Sequence, residues 1–381
     1  MVVPERVRED FLALVAIDSP TYHEGGVAAW LAERLQALGL TPHFDDAAGQ
    51  TGGEVGNLIC RVPASRRGPT GPRDPGAVLL AAHMDVVPPC RGVQPVVEGD
   101  IVRTRGATVL GGDDKAGCTA LLHAVTDLTQ EGRPHGPLEV VFTVAEEAGL
   151  EGARALECTQ PGARWGLVAE SGTLGHITVA APSSAKWWAR FQGRAAHGGV
   201  CPEQGISAIR AAAVALSRMP LGRLDGETTC NAGLVSGGEA RNVVPPHCEV
   251  SGDARSHDET KLEDVLSRLR ACVADGAAEV GATAEFEAVP AYRRYRLSPE
   301  QQPVQAALQA GEDLGLRPQT VATGGGSDAN ILNERGLPTA VLCCGAKAVH
   351  TREEFVDLRD VVAAARWMAR TVELLGQAGS V

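Results

Sequence analysis

Residues 77–82 read Ala-Val-Leu-Leu-Ala-Ala, and this stretch decides the fold class. The run is continuously apolar and lies between Pro75-Gly76 and polar residues, which is typical of a strand buried on both faces of a sheet. A second such run covers residues 138–144, with a helix predicted between them at 115–128, and weaker strands are predicted at 166–169 and 339–343. Strand, helix and strand in this order predict an α/β fold with a mainly parallel sheet flanked by helices.

The pattern changes from about residue 186, where the predicted strands alternate or carry polar ends. Their order with the intervening helices is β-α-β-β-α-β, the ferredoxin-like α+β arrangement, over residues 186–192, 205–217, 229–236, 242–255, 258–279 and 283–289. Helices outside this region are predicted at 7–17, 26–38, 298–314 and 360–375. We therefore expect a discontinuous domain, residues 1–179 and 292–381, with a second domain inserted at residues 180–291.

Composition and charge exclude several classes of function. A net charge of -12 over 381 residues disfavours binding to nucleic acid or to anionic membranes, which need a basic face. No segment reaches the ~20 apolar residues that span a bilayer, and the charged start lacks the apolar stretch of a secretory signal. The ten cysteines are scattered apart from Cys343-Cys344, which indicates reduced thiols rather than disulfides or metal ligands. We expect a cytoplasmic protein.

His83 follows the first apolar strand directly, and Asp85 is the next residue on the same face. A histidine at the carboxyl edge of a strand, with a carboxylate to orient its imidazole, is a typical arrangement for a metal ligand. Taken alone, however, this pair more often belongs to a structural histidine.

Paired acids mark two further segments. Asp113 and Asp114 follow glycines at the start of a predicted helix, where one could cap the helix or bridge two metal ions. Glu146 and Glu147 follow the strand at 138–144; one can bind a metal while the other acts as a general base, or both can belong to a solvated turn.

Two more potential ligands follow apolar stretches, namely Glu170 and His350. Together these segments supply imidazole and carboxylate groups without thiolates, a set that suits zinc, cobalt or manganese. Because several acids fall at strand ends, the joint pattern favours a metal site over separate structural roles.

Three segments of the middle and late chain suggest substrate contacts. His197 lies in a glycine-rich turn and could stabilise an oxyanion, and Arg255 ends a strand and could hold a carboxylate, although either residue alone is more often an ordinary surface residue. Residues 323–328, Thr-Gly-Gly-Gly-Ser-Asp, contain Ser327 and lack the lysine of a phosphate-binding P-loop, so a turn lining the substrate is the better interpretation.

At this point the chain resembles the co-catalytic zinc exopeptidase family, which includes peptidase T, glutamate carboxypeptidase, desuccinylases and aminoacylases. The resemblance runs from about Arg6 to Leu375 and is closest to the peptidase T-like branch. It is carried, in chain order, by HMDVVPPC (83–90), TVLGGDDKAG (108–117), VAEEAGLEGA (144–153), GRAAHGGVCPEQGISAI (193–209), NVVPPHCEVSGDARSHDE (242–259) and TGGGSDANIL (323–332).

The resemblance implies a role for each matching residue. It implies two Zn²⁺ ions per chain, with Co²⁺ or Mn²⁺ as substitutes, and a metallopeptidase catalytic domain carrying an inserted lid or dimerisation domain. Asp85 would orient a ligand and Glu146 would be the general base. The metal ligands would be His83, Asp113 as the bridge, Glu147, Glu170 and His350, and the substrate-binding residues would be His197, Asn242, Arg255 and Ser327.

The implied activity is the cleavage of amide bonds in small peptides, most specifically by a tripeptide aminopeptidase acting as a homodimer through the inserted domain. One position departs from that branch, because tripeptide aminopeptidases carry Asp where this chain has Glu170. Glutamate there resembles the carboxypeptidase and N-acyl amino acid deacylase branches, which form the alternative. A metal-free binding protein on the same scaffold would require gaps in the ligand set, and the sequence has none.

Overall fold

The computed structural model describes residues 1–65, 76–156 and 163–378, and the chain divides into two compact units. Unit 1 comprises Met1–Ala180, Arg296–Ala322 and Ser327–Val381, and unit 2 comprises Ala181–Tyr295 and Thr323–Gly326. Among the helices of the described residues, none is both long enough and apolar enough to cross a membrane.

The described residues contain α-helices distributed along the whole chain. They are α1 (Pro4–Val15), α2 (Gly25–Ala37), α3 (Ala47–Thr51), α4 (Gly112–Gln130), α5 (Glu151–Ala155), α6 (Ala208–Arg218), α7 (Glu259–Val280), α8 (Gln302–Asp313), α9 (Asp328–Glu334) and α10 (Leu358–Ala378).

The strands of the same residues form three sheets. They are β1 (His43–Phe44), β2 (Leu58–Val62), β3 (Ala77–His83), β4 (Pro95–Glu98), β5 (Ile101–Thr104), β6 (Leu138–Thr143), β7 (Ala163–Glu170), β8 (His176–Ala181), β9 (Ser183–Gln192), β10 (Gly222–Arg223), β11 (Thr228–Gly237), β12 (His247–Ser256), β13 (Thr283–Tyr292), β14 (Tyr295–Arg296), β15 (Gln319–Ala322), β16 (Thr339–Cys343) and β17 (Phe355–Asp357).

The largest sheet has four parallel strands at its centre. Its order is β1-β2-β6-β3-β7-β16-β8-β14, with β15 also paired to β8. The pairs β6/β3, β3/β7 and β7/β16 are parallel, whereas β2/β6 and β16/β8 are antiparallel. Every residue of β3, β6 and β16 is buried, as expected for strands covered on both faces. The predicted α/β fold with a mainly parallel sheet is confirmed.

The first turn of α4 is irregular. Asp113 and Asp114 lie within the element but have non-helical backbone angles, with ψ of 102° and 38°. Regular helical geometry therefore begins at Lys115, the residue at which the sequence predicts the helix. The irregular turn carries both acids, and both are buried.

Unit 2 contains a five-stranded antiparallel sheet of order β10-β11-β12-β9-β13. The elements follow the chain as β9-α6-β11-β12-α7-β13, with the short β10 added before β11, so the predicted ferredoxin-like order is confirmed. The largest boundary error in this unit is at β12, which begins at His247, not at residue 242. Pro245 and Pro246 precede it, and proline has no N–H to donate to a strand ladder.

Candidate metal centre and active site

The predicted metal-binding residues of unit 1 gather at the carboxyl ends of the parallel strands. His83 is the last residue of β3 and Glu170 the last residue of β7. Glu146 and Glu147 follow β6 by a few residues, and His350 follows β16 through a loop. Since parallel strands present their carboxyl ends at one edge of the sheet, these side chains converge there.

Asp113 lies between the two histidines. Its Oδ1 is 3.4 Å from Nε2 of His83, and its Oδ2 is 3.3 Å from Nε2 of His350. Glu170 Oε1 lies 3.7 Å from the same nitrogen of His83, and Glu147 Oε1 lies 2.8 Å from Nε2 of His350. The carboxylate of Asp113 therefore faces two separate groups of potential ligands with its two oxygens.

These contacts define two overlapping sets of potential ligands. One is His83, Asp113 and Glu170, and the other is Asp113, Glu147 and His350; within each set the ligand atoms lie within 4.8 Å of one another. A third set, His83 with Glu146 and Glu147, meets the same criterion. The first two sets share Asp113, which is the arrangement that a bridging carboxylate requires.

Asp114 has a different environment. It is fully buried, and its Oδ1 accepts a hydrogen bond from the amide of Gly117 at 3.0 Å, as a helix cap does. Each of the two interpretations of the paired acids therefore applies to one of them. Asp114 caps the helix, and Asp113 faces the histidines.

The chemistry of the site fits divalent cations. Oδ2 of Asp114 is buried without a hydrogen-bond partner among the described residues, and Oδ1 of Asp113 has the ion-pair contact with His83 but no hydrogen bond there. Buried carboxylate oxygens without a donor are unfavourable unless a cation neutralises them. Imidazole nitrogens and carboxylate oxygens are ligands of Zn²⁺, Co²⁺ and Mn²⁺.

The histidines carry raised pKa values in this acidic environment. Burial lowers the pKa of His83, but the neighbouring carboxylates of Asp113, Asp85 and Glu170 outweigh it and hold the pKa well above its usual value. Hydrogen bonds with Asp113 and Glu147 raise the pKa of His350 to about 10. A cation that takes the place of these protons would bind the histidines as neutral ligands.

Glu146 lies beside the potential ligands and is buried, with 8% of its surface exposed. Burial, followed by the negative charges of Glu170 and Glu147, raises its pKa well above the usual range, although His83 opposes the shift. A carboxylate with a raised pKa holds a proton more readily, which suits a general base.

Side chains accept hydrogen bonds from the four consecutive amides of residues 144–147. Asn57 Oδ1 accepts from Val144 at 3.1 Å and Glu24 Oε1 accepts from residue 145 at 3.0 Å. Asp85 accepts from the amides of Glu146 and Glu147, at 2.9 Å and 3.2 Å. Asp85 also lies at the other ring nitrogen of His83, with Oδ1 3.5 Å from Nδ1. This one residue therefore positions both a potential ligand and the turn of the two glutamates.

Three buried residues of the site do not appear among the predictions. They are Glu24, Asn57 and Glu354, whose carboxylate accepts from the amides of residues 110, 111 and 113 at 2.8–2.9 Å. Glu24 is an isolated glutamate in the stretch Tyr-His-Glu-Gly, and nothing in that stretch indicates a place at the site. For Glu354 a signal exists, since it stands four residues after His350 and directly before an apolar pair.

The predicted substrate-binding residues lie in different places. His197 and Asn242 are exposed neighbours in unit 2: His197 forms a bridge with Val243, and Gly198 donates to the Asn242 carbonyl at 2.8 Å. Arg255 stands at the far end of β12, and its Nε donates to Asp253 at 2.8 Å.

Ser327 lies in unit 1. It is 5% exposed and forms a capping box with Asn330 at the start of α9, so its hydroxyl serves the helix.

Comparison with known proteins agrees with this geometry. Residues 79–374 match the model of peptidase family M20/M25/M40. The chain is 39% identical to the Bacillus subtilis protein YqjE over 374 residues, which cover 98% of this chain and 99% of that protein. The solved structure of the aminopeptidase PepT from Bacillus cereus is 35% identical, with a TM-score of 0.83 and coverage of 98% of this chain and 99% of that one.

A tripeptidase structure from Staphylococcus aureus is similar as well. It is 32% identical, with a TM-score of 0.88, and the match covers 99% of this chain and 100% of that one. The resemblance to peptidase T-like exopeptidases, the corresponding fold and the assignment as a hydrolase acting on peptides are confirmed. The chain belongs to peptidase family M20/M25/M40.

Proposed function

We propose that this protein is a two-zinc aminopeptidase that removes residues from tripeptides and other small peptides. The observation that carries the proposal is the position of Asp113, whose two oxygens face His83 and His350 at 3.4 Å and 3.3 Å. One zinc would be held by His83, Asp113 and Glu170, and the other by Asp113, Glu147 and His350. The aminopeptidase and tripeptidase structures that the chain resembles support the same activity.

Two divalent ions held by these residues would supply polarisation of the substrate carbonyl and a lowered pKa of water. Glu146 then takes the proton of the attacking water and returns it to the leaving amine. Its burial supports this role because it raises the pKa of the carboxyl group, and its amide hydrogen bond to Asp85 fixes the backbone that carries it. Asp85 acts as a positioning residue, since it accepts from this turn and orients His83.

We assign the substrate contacts to unit 2, with His197 and Asn242 steadying the developing oxyanion and Arg255 binding the substrate carboxylate. The register of β12 supports a role for two chains. His247 pairs with Gln192 near His197, and Arg255 pairs with Ser184, eight residues further along the strand. At ~3.3 Å per residue these ends are about 26 Å apart, too far for one chain to supply both groups to one small peptide.

The homodimer would form through unit 2. Leu234 and Val235 on β11 are 73% and 67% exposed. Among the described residues, β10 pairs with β11 only as far as Cys230, and beyond it β11 pairs with β12 on one side alone. An exposed apolar edge strand of this kind favours pairing with a second copy. The nine cysteines of the described residues are free thiols, which supports a reducing, cytoplasmic setting.

The test is metal content together with amino-acid release from a tripeptide, for the wild type, for Glu146→Ala and for Glu98→Ala as a control at an exposed position of β4. We expect two zinc ions per chain in all three proteins, tripeptide cleavage by the wild type and the control, and a loss of ~10²–10⁴-fold in Glu146→Ala. A wild type without metal would refute the proposal.

A second candidate is a carboxypeptidase or N-acyl amino acid deacylase. It is favoured by Glu170, a glutamate where tripeptide aminopeptidases carry aspartate, and the side chain lies 3.7 Å from His83. Parallel assays with tripeptides and N-acyl amino acids separate the two. Metal-loaded enzyme that leaves tripeptides intact but releases amino acids from N-acyl substrates would establish the second candidate.

A further inference from the structure

We infer that Glu354 is a positioning residue that fixes Asp113 for metal binding, a role that rests on the proposed two-metal function. Glu354 is 1% exposed, and its carboxylate accepts three backbone hydrogen bonds from residues 110–113, where the chain enters α4. Oε2 accepts from Leu110 and Gly111 at 2.8 Å each, and Oε1 accepts from the amide of Asp113 itself at 2.9 Å.

The same short segment reaches Asp113 from two directions. His350 Nε2 lies 3.3 Å from Oδ2 of the Asp113 side chain, while Glu354, four residues later, holds its backbone. The segment is itself anchored, because β17 begins at Phe355 and pairs with β5. A bridging ligand must aim two oxygens at once, so its backbone position matters more than that of a terminal ligand.

The packing around Gly112 leaves little room for another arrangement. A Cβ at this position would lie 2.6 Å from Cγ2 of Val356 and 3.1 Å from Oε1 of Glu354. Gly112 therefore packs closely against Val356 and Glu354, and the Glu354 carboxylate accepts from the amides of residues 110, 111 and 113. Glutamine at position 354 would have one acceptor oxygen. Its NH₂ group would face an N–H donor and displace either Asp113 or residues 110 and 111.

The experiment uses the full-length protein stripped with EDTA and titrated with Co²⁺, followed by calorimetry and visible absorption. Glu354→Gln removes an acceptor, Glu354→Asp keeps the charge but shortens the side chain, and Glu353→Gln alters the exposed neighbour as a control. We expect both Glu354 variants to bind Co²⁺ ~10–100-fold more weakly than the wild type, with an altered absorption spectrum, and Glu353→Gln to match the wild type.

Hydrogen exchange of the stripped proteins provides a second readout. The amides of residues 110, 111 and 113 should exchange faster in Glu354→Gln and not in Glu353→Gln. If Glu354→Gln does not fold, Glu354→Asp carries the test. Wild-type Co²⁺ affinity in Glu354→Asp would overturn the positioning role while leaving the proposed function intact. A wild type that takes up no Co²⁺ would refute the proposed function and this role with it.

Discussion

The replacement Asp328→Asn should stabilise the metal-free protein at neutral pH. Asp328 begins α9, is 2% exposed, and has one oxygen that accepts from Thr143 Oγ1 at 2.5 Å. The other oxygen has no hydrogen-bond partner among the described residues. Burial raises the pKa of Asp328 from 3.8 to about 6, against the opposing effects of Thr143 and His83. Ionisation of this carboxyl group therefore opposes folding.

The magnitude follows from these two pKa values. Between about pH 4 and pH 6 the native state holds a proton that the unfolded chain has released, so the free energy of unfolding falls as the pH rises through this window. A difference of about two between the pKa values corresponds to about 3 kcal/mol. Asparagine keeps an oxygen for Thr143 and cannot ionise. Its advantage should therefore be near zero at pH 4 and reach at most about 3 kcal/mol at pH 7.

The assay is urea unfolding of EDTA-treated wild type, Asp328→Asn and Asp46→Asn between pH 4 and pH 7. EDTA is needed because a bound cation would favour the ionised carboxylate, and Asp46 is an exposed acid of the same unit. The exposed control should change the free energy of unfolding little at any pH. A variant that is less stable than the wild type at pH 7 would show that Asp328 is favourably ionised in the native state. A difference that does not depend on pH would show that folding leaves the pKa of Asp328 unchanged.

Three further predictions concern the turn of Glu146 and the edge of unit 2. Asp85→Asn loses the acceptor for one of the two amides that Asp85 serves, so we expect a fall of ~1–3 kcal/mol in the urea unfolding free energy, and unchanged stability would contradict the hydrogen bonds described. Glu24→Ala removes acceptors from two amides and should lower the same quantity by ~2–6 kcal/mol, while Glu24→Gln keeps one oxygen for both and should stay within ~1 kcal/mol of the wild type. Leu234→Glu should shift sedimentation from dimer towards monomer without unfolding the chain; sedimentation equal to that of the wild type would argue against pairing through β11.

The strands that could be predicted are those buried on both faces. β3, β6 and β16 are mainly apolar runs, because both faces of each strand are buried. β2 and β8 were not predicted. Arg61 interrupts the apolar run of β2, and His176 and Thr178 make the run of β8 less apolar. The three-stranded sheet β17-β5-β4 is built from strands of three or four residues, too short for a period to be recognised.

The potential metal ligands could be predicted because each follows an apolar strand or opens a helix, so sequence position alone indicates the shared edge. The residues that hold them could not be found this way. Glu24 reaches an amide 121 residues away, and Glu354 reaches amides more than 240 residues away. Such contacts depend on tertiary proximity. The polar stretch around Glu24 gives no sign of them, and the position of Glu354 after His350 does not indicate which amides it reaches. The backbone of Asp113 is a further case, since only the structure shows its ψ of 102° and the hydrogen bond from its amide to Glu354.

The strand order also has a consequence for synthesis of the protein. β7 and β8 are consecutive in the chain, yet β16 lies between them in the sheet and begins only at Thr339. At ~5–20 residues per second, the ribosome needs roughly 8–30 s to make the chain between the end of β8 and the start of β16. During that time β7 and β8 present edges whose partner does not yet exist, and His350 follows later still. His350 can therefore join Asp113 and Glu147 only after this interval, and until then the unpaired edges of β7 and β8 are open to pairing with strands of other chains.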